Sequence, residues 1–217
     1  MIEPVKRVIV LTHGINNTVE DARWLNDLKA YLDTAIHTKG LAFETQVLIH
    51  RYNPFVLRYF TFLPFLSKRW RSNQVVKFQK YIAWVRKAYG SSITIDVVAH
   101  SFGTYKAHYA MTHDSKQPKA FYGRLILIGA VVSSRFKPEE AAGHFTEEHY
   151  FWSDGDSAVA KSPIGNVGWA GPYYTDNKRS GPKIYGYDFS SIGHSDYFKQ
   201  SYRSETFQRV AGILGLE

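Results

Sequence analysis

Apolar positions follow two alternating rhythms along the chain. Short continuous runs give way to longer stretches in which apolar residues recur every three or four positions. Val5 to His13 reads Val-Lys-Arg-Val-Ile-Val-Leu-Thr-His and stops at Gly14, the pattern of a strand buried on both faces. Thr18, with Asp21 three residues on, resembles a capping box. Beyond it Trp24, Leu25, Leu28, Leu32 and Ile36 share one helical face as far as Gly40. Phe43 to Tyr52 is a second strand. Gln74 to Tyr89 is a second amphipathic helix, with Phe78, Ile82, Val85 and Tyr89 on one side. A β-branched run (Ile93, Ile95, Val97, Val98) follows. It turns sharply through Ala99-His100-Ser101-Phe102-Gly103 into a helix that carries Tyr105, Tyr109 and Ala110 and ends near His113. Gly123 to Val132, His149 to Ser153 and Lys183 to Phe189 read as further strands. Ser195 to about Leu214 reads as a helix with a break near Ser204.

Strands alternating with helices at this spacing predict an α/β domain: a mainly parallel sheet of about six strands, helices on both faces and right-handed crossovers. At 217 residues, with 44% apolar and 16% aromatic residues, the chain suits one domain spanning 1–217. It shows no internal repeat and no interdomain linker. Gly155 to Pro182, rich in glycine and proline, predicts a long loop over one end of the sheet. The absence of cysteine excludes disulfides, thiolate metal sites and a cysteine nucleophile. Met1-Ile-Glu-Pro4 leads straight into the first strand, with no secretory signal and no run of the roughly 20 apolar residues that span a bilayer. The expectation is a cytoplasmic protein. Neither a Walker pattern nor G-x-G-x-x-G is present, so a phosphate cradle of either type is excluded.

In sheets of this kind, function gathers at the carboxyl ends of the strands. Ser101 sits at one such end, at the apex of a strand–turn–helix. A nucleophile elbow requires small residues two places before and after its serine, and Ala99 and Gly103 occupy those places. The same pattern also fits an ordinary βα turn with a serine cap.

Along nearly its whole length the chain resembles an α/β-hydrolase of the lipase/esterase type, in a compact version lacking the antiparallel N-terminal strands of many members. The resemblance implies a triad in the chain order serine, acid, histidine, with no metal and no organic cofactor. His194, in Gly-His-Ser-Asp just after the last strand, is the implied base. Two acids follow the strand ending near Ser153. Asp156 is preferred because Val159 stands three residues on, as an apolar residue often does in the family. Asp154 is the alternative, with a turn-bracing role otherwise. The oxyanion hole is assigned by resemblance to the backbone N–H groups of Phe102 and of Ile15, in the loop His13-Gly14-Ile15-Asn16-Asn17. Of the other histidines, His100 reads as elbow packing, and His37, His50, His108, His113, His144 and His149 as surface, core or loop residues.

Charge changes the picture in one place. The net charge is +8, and Thr45 to Ile95 holds nine of the 27 Lys and Arg residues and none of the 19 Asp and Glu. Within it, residues 53–73 form a basic aromatic insertion, rich in Phe (Phe55, Phe60, Phe62, Phe65) and closed by Lys68, Arg69, Trp70 and Arg71. It reads either as core packing or as a lid or membrane-facing wall, greasy toward an acyl chain and cationic toward anionic headgroups. Cations and aromatics also suit single-stranded nucleic acid. The hydrolase resemblance favours lipid. The reading is therefore a serine hydrolase acting on small-molecule or lipid carboxylic esters, with peripheral contact to an anionic membrane. Thioesterase or amidase chemistry on the same triad, or an inactive hydrolase-fold binding module at a membrane surface, are the alternatives.

Overall fold

The structure, a computed structural model, describes residues 5–14, 23–51, 67–112, 122–133, 145–162 and 183–217. Six strands, β1 (Arg7–Thr12), β2 (Thr45–His50), β3 (Thr94–His100), β4 (Tyr122–Ile128), β5 (Glu147–Trp152) and β6 (Lys183–Asp188), form one sheet. Its order is β2-β1-β3-β4-β5-β6, and every neighbouring pair is parallel. The helices are α1 (Arg23–Thr38), α2 (Lys68–Tyr89), α3 (Phe102–Thr112), the short α4 (Ser157–Ala160) and α5 (Gln200–Ile213).

Because strand side chains alternate between faces, the unbroken apolar run of β1 feeds two cores. Val8 and Val10 pack with Phe78, Ile82 and Val85 of α2 and Ala107, Ala110 and Met111 of α3. Ile9 and Leu11 pack with Leu25, Leu28 and Leu32 of α1 and Phe207 and Val210 of α5. The helix after β1 thus covers one face and the helix after β3 the other, although the two strands are neighbours. That divergence opens a crevice between their carboxyl ends, the switch point of the sheet. Gly14 follows one of these strands and Ser101 the other.

Three boundaries differ most from those the apolar pattern predicts. Helix α2 starts at Lys68 rather than Gln74, because Ser67 caps it by accepting from the Trp70 N–H. The polar stretch before Gln74 has no apolar rhythm and is helical through its cap. Strand β4 stops at Ile128 rather than Val132, where Gly129 turns the chain with φ +54°. The C-terminal break falls at Lys199 rather than near Ser204: a 3₁₀ turn (Asp196–Phe198) precedes α5. No helix among the described residues is long and apolar enough to cross a membrane.

Candidate active site

Ser101 has φ 56°, left-handed backbone that costs a non-glycine residue about 1–2 kcal/mol. Three bonds hold it there. Its N–H donates to the Ile128 carbonyl at 3.1 Å, while its carbonyl accepts from the Thr104 N–H at 2.9 Å and from Thr104 Oγ1. Thr104 Oγ1 in turn accepts from the Val131 N–H at 2.9 Å, fastening the elbow to the exit of β4. The small residues expected on either side are both needed. Ala99 is fully buried, and a Cβ on Gly103 would lie 2.9 Å from the His13 carbonyl oxygen.

The tertiary structure brings Ser101, His194 and Asp156 into one hydrogen-bonded line. Asp156 Oδ2 is 2.8 Å from His194 Nδ1, and His194 Nε2 is 2.8 Å from Ser101 Oγ. A carboxylate only accepts, so Nδ1 carries the imidazole proton and the Nε2 lone pair faces the serine hydroxyl. Asp156 is fully buried, and its other oxygen accepts from the Val159 N–H at 3.0 Å, capping α4. Asp154 faces elsewhere: its Oδ1 accepts from the Ser191 N–H.

The loops bearing the acid and the histidine are joined directly. Ser153 Oγ donates to the Ile192 carbonyl and accepts from the N–H groups of Ile192 and Gly155. Gly155 lets the loops touch, since a Cβ there would lie 2.5 Å from the Ser191 carbonyl carbon. Behind the His–Asp pair is Gly129, where a Cβ would come within 3.1 Å of His194 Nδ1 and 3.2 Å of Asp156 Oδ2. His100, expected as packing, supports the histidine itself. Its ring lies 4.8 Å from that of His194, and its Nε2–H donates to the His194 carbonyl at 3.0 Å. Burial, with the neighbouring His194, holds His100 well below the ordinary imidazole range and therefore neutral.

Gly14 brings the loop after β1 against the nucleophile. A Cβ on Gly14 would lie 2.6 Å from Ser101 Cβ, 2.7 Å from its Oγ and 3.0 Å from the Phe102 nitrogen. The Phe102 N–H thus stands at the start of α3 beside both Ser101 and Gly14, where the helix dipole favours negative charge. Ile15, the other expected donor, lies outside the described residues. Among those described, no three His, Asp or Glu side chains gather as a metal ion's ligands would. Sequence reasoning passed over Ser153, Gly155 and Gly129. Their one signal was a glycine or serine at or just beyond a strand end.

The chain has the α/β-hydrolase fold. Among solved structures it is similar to esterase 2 of the planctomycete Thermogutta terrifontis, with propionate bound, at 14% identity and a TM-score of 0.61, covering 99% of this chain and 84% of that one. It is also similar to EstE1, a thermostable carboxylesterase from a metagenomic library, at 14% identity and a TM-score of 0.57, covering 99% and 81%. A third is the RedJ thioesterase of prodiginine biosynthesis in Streptomyces coelicolor, at 11% identity and a TM-score of 0.53, covering 96% and 86%. No family model and no curated protein matches the chain in sequence. At these identities the likeness is one of fold.

Proposed function

We propose that the protein is a serine hydrolase that cleaves carboxylic esters through an acyl-enzyme on Ser101. The observation that carries this reading is the pair of 2.8 Å hydrogen bonds running from Asp156 through His194 to Ser101. In the first step Ser101 Oγ bonds to the ester carbonyl carbon while its proton passes to His194 Nε2. The carbonyl π pair becomes an oxyanion beside the N–H of Phe102, with that of Ile15 as the second donor. Asp156 stays ionised and stabilises the imidazolium. Collapse of the intermediate breaks the bond to the alkoxide, which takes the proton from His194. Water then attacks the acyl-serine by the same route, with His194 again base and then acid. Thioesters and amides differ only in the leaving group, and the RedJ neighbour is a thioesterase.

The Thermogutta terrifontis esterase is phosphonylated by sarin. A fluorophosphonate probe should likewise label this chain on Ser101, with labelling and p-nitrophenyl ester turnover both abolished in Ser101→Ala. Labelling that persists in Ser101→Ala, on another serine, would overturn the assignment. So would a wild-type protein that neither labels nor turns over, which would leave a binding module.

We further infer contact with an anionic bilayer through α2. Arg69, Lys80 and Lys87 stand i, i+11 and i+18 on one line of this helix, all exposed, with the exposed Val76 and Trp84 beside them. The helix carries no acidic residue, and its first turn reaches the site, where Trp70 stacks on Phe102 with ring centroids 5.2 Å apart. Most of the aromatic insertion, residues 53–66, lies outside the described residues.

A further inference from the structure

Lys106 lies on α3, one turn beyond Gly103, and its side chain is fully buried. Its Nζ donates to the carbonyl oxygen of His13 at 3.1 Å, across 93 residues of sequence. The same carbonyl rests on Gly103, whose missing side chain leaves room for it. Helix α3 therefore grips the end of β1 at two successive turns, with bare backbone and then with an amine. The peptide so gripped is His13–Gly14. In a planar trans peptide the C=O and N–H point in opposite directions, so a fixed His13 oxygen also fixes the plane and direction of the Gly14 N–H. The next carbonyl is held too, because His13 Nδ1–H donates to the Gly14 oxygen at 2.7 Å. Gly14 is the residue whose absent Cβ lets this loop touch Ser101.

We propose that Lys106 is a positioning residue for the oxyanion site, its amine holding the His13–Gly14 peptide against Ser101 and setting a positive charge behind the developing oxyanion. The proposal rests on the serine hydrolase reading and adds a residue that the triad and its two N–H donors do not include. A buried lysine is costly, and burial pushes Lys106 down to about 7. Among the described residues, the titratable groups facing it are His13 just after β1 and His50 at the end of β2, with Arg51 acting on His13 from beyond. Burial, and after it the Lys106 charge, lowers His13 to about 4 and His50 to about 3. Both imidazoles are therefore neutral near neutral pH, and Lys106 is the member of this cluster that titrates there. Below about pH 7 its bond to His13 is charge-assisted and its field acts on the oxyanion. Above that pH a neutral amine remains, with a weaker bond and no field.

The test compares wild type, Lys106→Met and Lys106→Arg on a soluble p-nitrophenyl ester, from below to above neutral pH, beside thermal denaturation and fluorophosphonate labelling of Ser101. Wild-type kcat should show an alkaline limb with a midpoint near 7. Lys106→Met should lose about 10- to 100-fold in kcat with KM little changed, somewhat less than removal of a direct oxyanion donor. It should also lose the alkaline limb while melting no lower than wild type, since methionine fills similar space without a buried charge. Lys106→Arg, charged throughout this range, should recover part of kcat and show no limb. A Met variant with wild-type kcat and pH profile overturns the proposal, as does a wild type without an alkaline limb, whether or not the Met variant folds. Failure of the hydrolase reading looks different: wild type itself is then neither labelled nor active.

Discussion

Asp156→Asn keeps the shape of the side chain and changes which atom faces His194. One carboxylate oxygen accepts from the Val159 N–H at 3.0 Å, and an amide oxygen serves there equally well. The amide NH₂ is then turned toward His194 Nδ1, where an oxygen sits at 2.8 Å in the native protein. An NH₂ group only donates, so the imidazole proton moves to Nε2 and the serine hydroxyl loses its acceptor. The same tautomer reversal in the Ser-His-Asp protease triad costs about 10⁴ in kcat, or roughly 5.5 kcal/mol. The opposite amide orientation is no escape. It sets two donors face to face at a fully buried position, costing about 1–3 kcal/mol. It also removes the carboxylate charge from the imidazolium, worth about 4 kcal/mol at 4 Å and an effective dielectric of 20. Either route raises the barrier by roughly 5 kcal/mol or more. The assay is kcat on a p-nitrophenyl ester beside the melting temperature, which should move little because the cap on α4 survives. Asp154→Asn, run in parallel, should stay close to wild type, since an amide oxygen still accepts from Ser191. Asp156→Asn within about tenfold of wild type, where the protease analogy gives about 10⁴, refutes the reasoning. So does crippling by Asp154→Asn.

Gly14→Ala places a methyl group 2.6–2.7 Å from the Ser101 side chain, closer than real contacts allow, so the loop must withdraw from the nucleophile. Turnover should fall by about 10²-fold or more, as when an oxyanion donor is lost, with the circular dichroism spectrum unchanged; wild-type turnover would show that the loop plays no part. Changing Arg69, Lys80 and Lys87 together to Gln should weaken binding to anionic liposomes by up to about 3 kcal/mol, and added salt should have the same effect on wild type. Co-sedimentation measures this, and equal, salt-insensitive binding to neutral and anionic vesicles would remove the membrane role.

What was legible in the sequence had a local cause. The elbow could be read because a strained turn demands small residues at fixed offsets, and Ala99 and Gly103 stand at those offsets around Ser101. The two-sided sheet could be read because β1, β3 and β4 are mainly apolar without alternation, and a strand buried on both faces has no solvent-facing polar side. His194 stood out by its place after the last strand. Other features depend on partners far away in the chain. Asp154 and Asp156 flank one glycine, and in sequence only the apolar Val159 three places on favours Asp156. Which of them faces His194 depends on how residues 153–156 dock on residues 191–194, through the Ser153 hydroxyl and the bare backbone of Gly155. Lys106 is a lysine on a helix, ordinarily a solvent-facing residue. Its burial follows from the carbonyl of His13, 93 residues away, which the switch in the sheet brings beneath α3. Backbone preferences act over a few neighbouring residues. The partners of a carboxylate or an amine are chosen by the packing of two cores on one sheet, and that packing exists only when the whole chain has folded.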